Sequence, residues 1–195
     1  MRQLNRTIGL LCIALLPGFA IGQVIEEIVV TAQKRSESVQ EVPISIATLS
    51  GDELEQLGIT RAQDLAQFIP NVELADSGDS GIPIFVIRGV GLQDYNANNT
   101  PTTAMFVDDV YLPYNIMTNF ALFDAERIEI LKGPQGGLYG RNTTGGAMNF
   151  VGRNPNFKQF EANASIDAGE HGTFGFRGGI SVPFSDVFAA RIAVQ

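Results

Sequence analysis

The stretch Glu126–Val151, ERIEILKGPQGGLYGRNTTGGAMNFV, narrows the choice of fold more than any other part of the chain. It opens as a strand. Ile128 and Ile130 share one face and Arg127, Glu129 and Leu131 the other, over a short isoleucine-rich run. Gly133-Pro134 stops it, because proline pre-sets a turn and glycine permits one. Gly136, Gly137, Gly140, Gly145 and Gly146 follow, and a strand resumes at Ala147–Val151. Glycine at this density means close backbone approach, or φ values that other residues avoid. Gly140 and Gly145 have the spacing of a phosphate-binding loop. Gly146 stands where that loop needs lysine, however, and Ala147 where it needs Ser or Thr, which argues against a nucleotide site. A tight hairpin in some other β-rich domain stays open.

The N-terminus reads as a secretory signal peptide, residues 1–22. Arg2 and Arg6 give its positive start and Ile8–Leu16 its apolar centre. Pro17-Gly18 breaks the helix, and Ala20-Ile21-Gly22 supplies small residues for cleavage. An uncleaved anchor is the alternative, since Thr7–Ile25 carries no charge. Pro17, Gly18 and Gln23 interrupt that stretch, and a span needs about 20 mostly apolar residues. The one cysteine, Cys12, lies in the leader, so a processed chain has no disulfide framework.

Net charge is −8, and loss of Arg2 and Arg6 makes it more acidic still. That excludes nucleic acid as a natural partner, because phosphate neutralisation needs Lys and Arg in clusters. No Ser/His/Asp, Cys/His or carboxylate pair is placed for catalysis. His171, the single histidine, lies in a Glu170-His171-Gly172 turn without a Cys or His partner. Neither an enzyme nor a metal or cofactor site is expected.

Glu26–Arg35, EEIVVTAQKR, is a short apolar strand hemmed by charge. Ile28, Val29, Val30 and Thr31 are strand formers, with Glu26 and Glu27 before them and Lys34 and Arg35 after. Such a segment suits β-augmentation by a partner, and equally the first strand of a sheet. Residues 36–41 form a polar joint. Val42–Leu49 is a strand. Ser50 and Glu53 form a capping box for a helix over Gly51–Leu57, ended by Gly58. Thr60 caps a second helix, Arg61–Phe68, with Leu65, Phe68 and Ile69 facing inward and Pro70 ending it. Asn71–Leu74 is a brief strand and Pro83–Val90 a buried one. Thr102–Tyr111 contains a strand that turns at Asp108-Asp109, and Ile116–Phe123 is a short helix or an irregular packed segment. Two loops rich in Gly, Asp and Asn separate these elements, 75–82 and 91–100. Strands interleaved with two early helices make a small α/β sandwich.

After Asn154-Pro155 the pattern changes. Phe160, Ala162, Ala164, Ile166 and Ala168 alternate with Glu161, Asn163, Ser165 and Asp167. Phe174 to Val182 and Phe188 to Val194 repeat the alternation. Three such runs of about nine residues are what transmembrane barrel strands look like, though a soluble sandwich alternates in the same way.

Taken in order, EEIVVTAQKR, EVPISI, the Arg88-Gly89 pair and ERIEILKGPQGGLYGRNTTGGAMNF resemble the N-terminal part of TonB-dependent outer-membrane receptors, in their pesticin and ferric-siderophore branch. The resemblance runs from Ile25 to Gln195. It implies a TonB box with a flexible linker at 23–41, an α/β plug domain at 42–155, and the first strands of an incomplete transmembrane barrel at 156–195. Full transporters of this kind close about 22 strands around the plug, so the resemblance implies a piece of a longer receptor or a truncated one.

The implied activity is energised uptake of a scarce ligand, most simply a ferric siderophore, across the outer membrane. The implied partners are TonB, the ligand and outer-membrane lipid. TonB would bind Glu26, Glu27, Ile28, Val29, Val30, Thr31 and Ala32 from the periplasm. Substrate would touch apex-loop residues Asp76, Asp79, Gln93, Asp94, Tyr95, Asn96 and Asn98, for which plain solvated turns are the alternative. Arg88, Arg127, Glu129 and Arg141 would be structural, pairing with barrel-wall charges to fix the plug. A free periplasmic plug-type binding module, or a non-functional truncated receptor, is the alternative to transport.

Overall fold

The computed structural model describes residues 29–31, 34–35, 37–75, 81–92, 96, 99–169 and 172–195. Both readings of the leader fall outside them. Two two-residue strands come first, β1 (Val29–Val30) and β2 (Glu37–Ser38). Then follow β3 (Ile46–Ser50), β4 (Val72–Ala75), β5 (Ile84–Ile87), β6 (Thr103–Val107), β7 (Val110–Leu112), β8 (Ala125–Lys132) and β9 (Gly146–Gly152). The central sheet has the order β3-β8-β9-β6-β7. All its pairings are antiparallel except β6 with β9. The strand β8 therefore sits inside the sheet, and both of its faces are covered. Ile128 and Ile130 enter a core with Leu54, Leu65, Ile87, Met105 and Met148. Leu131 enters a second core with Val30, Val42, Ala104, Phe106 and Ala147.

Local chemistry sets the connections. The helix α1 (Gly51–Gln56) starts at the expected capping box, where Ser50 N–H donates to Glu53 Oε2 at 2.7 Å and Glu53 N–H to Ser50 Oγ at 3.3 Å. Gly51 is required by contact. A Cβ there would stand 2.2 Å from the carbonyl oxygen of Ala125. The second expected helix is instead a 3-10 helix, Ala62–Gln67. Its cap is Asp64, not Thr60, and the Asp64 carboxylate accepts from the backbone N–H groups of Thr60 at 3.0 Å and Arg61 at 2.8 Å. The tighter winding turns Phe68 outward, to 43% exposure, while Leu65 and Ile69 face inward as expected.

The expected strand Pro83–Val90 ends at Ile87, because Arg88 and Gly89 take positive φ and close a turn with Val90. Asp108 and Asp109 form the expected turn between β6 and β7. Both have positive φ, and the Asp108 carboxylate accepts from Gly152 N–H at 2.7 Å. The uncertain segment near Ile116 is a 3-10 helix, Asn115–Thr118. After Pro134 the chain makes one helical turn, α2 (Gly136–Tyr139), before β9.

The C-terminal strands β10 (Glu161–Ala168), β11 (Phe174–Ser185) and β12 (Phe188–Val194) form one antiparallel sheet. Ala162 pairs with Ile180 and Ile180 with Ile192, so the apolar series of all three strands share a face. That face is open: Phe160, Ile166, Phe174, Phe184, Phe188 and Ile192 are all exposed. The polar face is turned inward, toward Asp124 and the rest of the chain. Ser181 is buried there and accepts from Asn156 N–H at 2.6 Å. Arg191 reaches Asp124 with two nitrogens, its Nε lying 2.6 Å from Oδ2.

Candidate functional site: a docked N-terminal segment

The face of the central sheet that carries Glu129 is determined by β pleat. Arg127, Glu129 and Leu131 on β8 point the same way as Asn149 on β9 and Phe106 on β6, because Glu129 pairs with Asn149 and Asn149 with Phe106. Val30, Thr31 and Lys34 lie against this face. Val30 is fully buried in the second core. Its neighbour Val29 is 46% exposed. Together they pair with Glu37 and Ser38, a ladder of only two residues a side.

Thr31 is bound through its backbone and its side chain. The backbone N–H donates to Glu129 Oε1 at 2.8 Å, and the hydroxyl lies 3.1 Å from the same oxygen. Arg127 Nε donates to that oxygen at 2.8 Å, and Arg127 Nη2 donates to Thr31 Oγ1 at 3.1 Å. Arg127 also pairs with Glu126. The Glu129 side chain has 0% exposure. A carboxylate so placed is tolerable only because a cation and hydrogen-bond donors surround it. Further along, Lys34 Nζ sits 5.9 Å from the Phe106 ring centre and 5.6 Å from that of Tyr139, and 3.5 Å from Asp109 Oδ1. An open cleft of about 760 Å³ lies beside the segment, lined by Thr31, Lys34, Arg35, Asp108, Asp109, Arg127 and Asn149 among others. Burial pushes the Tyr139 phenol up to about 12, with the charges of Glu129 and Asp109 adding to it.

Of the expected TonB-contact residues, Val29, Val30 and Thr31 lie in this docked segment, and Glu26, Glu27, Ile28 and Ala32 lie outside the described residues. Among the substrate-contact candidates, Asp76, Asp79, Gln93, Asp94, Tyr95 and Asn98 also lie outside them. Asn96 is exposed, and its carbonyl accepts from Asn99 N–H at 2.8 Å. The four structural candidates separate. Arg127 and Glu129 are buried together under Thr31, and their polar partners are on β8 and the N-terminal segment. Arg88 and Arg141 are exposed. Arg88 stands near Lys132, and burial together with that arginine holds the Lys132 ammonium below its usual range, with Nζ donating to the Pro70 carbonyl at 2.8 Å.

Sequence reasoning missed three contributors: Lys34 over its two rings, Asp109 beside it, and the Asp124–Arg191 pair. Arg191 had a usable signal. It is the sole charge in β12 and lies on the face that alternation assigns away from the apolar side. Nothing comparable marks Asp124.

Comparison with known proteins agrees with this architecture. The family model described as TonB-dependent Receptor Plug Domain matches residues 38–147. The pesticin receptor of Yersinia pestis is 34% identical over 148 residues, which cover 72% of this chain and 21% of that protein. A vitamin B12 transporter of Vibrio vulnificus is 27% identical, over 78% of this chain and 25% of its own. Among solved structures, the ferric yersiniabactin uptake receptor from Yersinia pestis superposes with a TM-score of 0.65 at 27% identity, over 77% of this chain and 23% of that one. The ferripyoverdine receptor of Pseudomonas aeruginosa gives 0.68 at 18% identity, over 85% and 22%, which supports the fold alone. The chain thus spans about a fifth to a quarter of the length of these proteins. With a family model matched over more than half its residues, it belongs to the TonB-dependent receptor plug domain family.

Proposed function

We propose that this chain is the periplasm-facing end, plug and first barrel strands of an outer-membrane receptor that imports a ferric siderophore under power from TonB. Residues 1–22 direct export and are removed. Residues 26–32 are the handle that TonB captures as an added strand. The plug, 42–155, blocks the barrel that begins at 156. The observation that carries this reading is how the segment 29–31 is attached. It is ordered and in place, yet its ladder is two residues long, so main-chain groups remain for a partner strand. A pull there acts on the plug through Thr31 and β8. The outer membrane holds no ATP, so work must arrive along an extended chain, and this is a segment of the right chemistry and place. The siderophore assignment follows the pesticin and yersiniabactin receptor relatives.

Uptake of radio-iron presented on a panel of siderophores tests this. Ile28→Pro or Val30→Pro removes a backbone donor from the handle and should reduce energised uptake to background while surface binding persists. Loss of binding along with uptake, or uptake unchanged, would remove the handle from the account.

A further inference from the structure

We propose that strands β10–β12 carry a built socket for the turn Asp124–Ala125, and that this joint stays shut through each cycle of uptake, so that the passage opens along another side of the plug. The inference rests on the transport reading above. Its basis is how two arginines reach one turn. Arg191 of β12 crosses the inner face of β11 at Gly179, where a Cβ would stand 2.6 Å from its Nη2. Beyond that slot Nη2 donates to Asn163 Oδ1 of β10 at 3.1 Å, and Nε donates to Asp124 Oδ2. All three strands thus shape the site that takes the carboxylate. Arg153, which follows β9, comes to the same turn and needs a glycine as well. A Cβ on Gly51 would stand 2.9 Å from its Nη2. Arg153 donates through its backbone N–H to the Asp124 carbonyl at 2.9 Å, through Nε to the Ala125 carbonyl at 3.2 Å, and through Nη2 to Asp52 Oδ1 at 3.0 Å.

The turn is therefore fixed by its side chain and by both carbonyls. Asp124 has φ +49, a conformation that a non-glycine residue seldom takes, and these contacts hold it there. The pair is largely out of water, with side-chain exposure of 7% for Arg191 and 18% for Asp124. Parting the two strands a largely buried charge without its partner, which is costly. A pull delivered to β8 near Glu129 thus ends at a joint with three strands behind it.

Ser181→Cys reports on the joint and leaves both arginines in place. Ser181 is buried on the inner face and pairs across the ladder with Arg191. In whole cells expressing the receptor in a cysteine-free background, its rate of maleimide labelling is measured at rest and during uptake of radio-iron. The rate should be slow and equal in both states. Asp124→Asn, which removes the charge, and Gly179→Ala, which fills the slot, should each raise it about tenfold, the size expected for loss of a charge-assisted hydrogen bond. A separate Met148→Cys probe in the sheet core reports whether the plug stays folded. Fast labelling at rest in the otherwise unaltered receptor overturns the socket. So does a rate that neither variant raises while Met148→Cys stays protected. A rate that climbs during uptake to that of Asp124→Asn means that the joint opens in the cycle, and overturns the claim that it stays shut. If both variants act as expected at rest but no siderophore of the panel delivers iron, the socket stands and the transport reading above fails.

Discussion

Glu129 shows what a single residue can conceal in a sequence. Alternation assigns it correctly to the face opposite Ile128 and Ile130, and a charged residue on such a face ordinarily meets water. Here the face is covered by a segment almost a hundred residues away, and no local pattern announces that. Gly51 is the reverse case. Its place after Ser50 looked like simple helix capping, but the reason for glycine is the Ala125 carbonyl 2.2 Å from where a Cβ would be. Gly51→Ala should therefore destabilise the plug by about 1–3 kcal/mol, the usual cost of forcing atoms into a packed site, seen as a lower midpoint in urea.

Tyr139 gives a pH signature. Its phenol is held up to about 12 in the folded chain against an ordinary value of 10.0, so the folded state keeps the proton more tightly than the unfolded one. Its contribution to stability is complete below about pH 10 and is lost as pH rises through the folded value. Above that window the parent should lose stability that Tyr139→Phe keeps, so the difference between their unfolding midpoints should change between neutral and high pH. A constant separation would contradict the assignment.

At the scale of elements, the sequence was most legible where chain neighbours decide the outcome. The Ser50–Glu53 box, the Asp108-Asp109 turn, the stop at Gly133-Pro134 and the strand through Ile128 and Ile130 are all local in origin. The failures share a cause as well. Arg61–Phe68 read as a helix with Phe68 facing inward, but Ala62–Gln67 form a 3-10 helix capped by Asp64, and Phe68 is exposed. The Pro83–Val90 strand looked continuous, but Arg88 takes positive φ, which a non-glycine residue rarely does and composition does not signal. Ser50→Ala should cost about 1 kcal/mol through the lost cap, measurable as a lower thermal midpoint. Asp64→Ala should cost a similar amount or more, since its carboxylate serves two backbone donors.

For the whole molecule, alternation alone could not separate a membrane strand from a soluble one. The three-stranded sheet settles which face turns inward. Polar residues meet the plug, and Phe, Ile and Val point away from it. The Asp124–Arg191 pair joins the two parts, with the Arg191 side chain only 7% exposed. Arg191→Ala leaves a largely buried carboxylate unpaired, a loss of about 3–5 kcal/mol for pairs of this kind. The expected result is easier proteolysis at 153–160 between plug and strands, with the central sheet intact. The segment at Thr31 is held instead by Arg127 and Glu129 of β8, so the two attachments can be weakened independently.

Disulfide cross-linking in outer-membrane preparations most directly tests the claim that this plug is worked from its N-terminal segment by TonB. The receptor carries Val29→Cys, at the exposed handle residue, and the TonB periplasmic domain carries single cysteines along its edge strand. The account predicts an adduct confined to a few successive TonB positions of one parity, as strand pairing requires, and abolished by Val30→Pro. No adduct from a folded receptor in that membrane, or one indifferent to TonB position and to Val30→Pro, would contradict it.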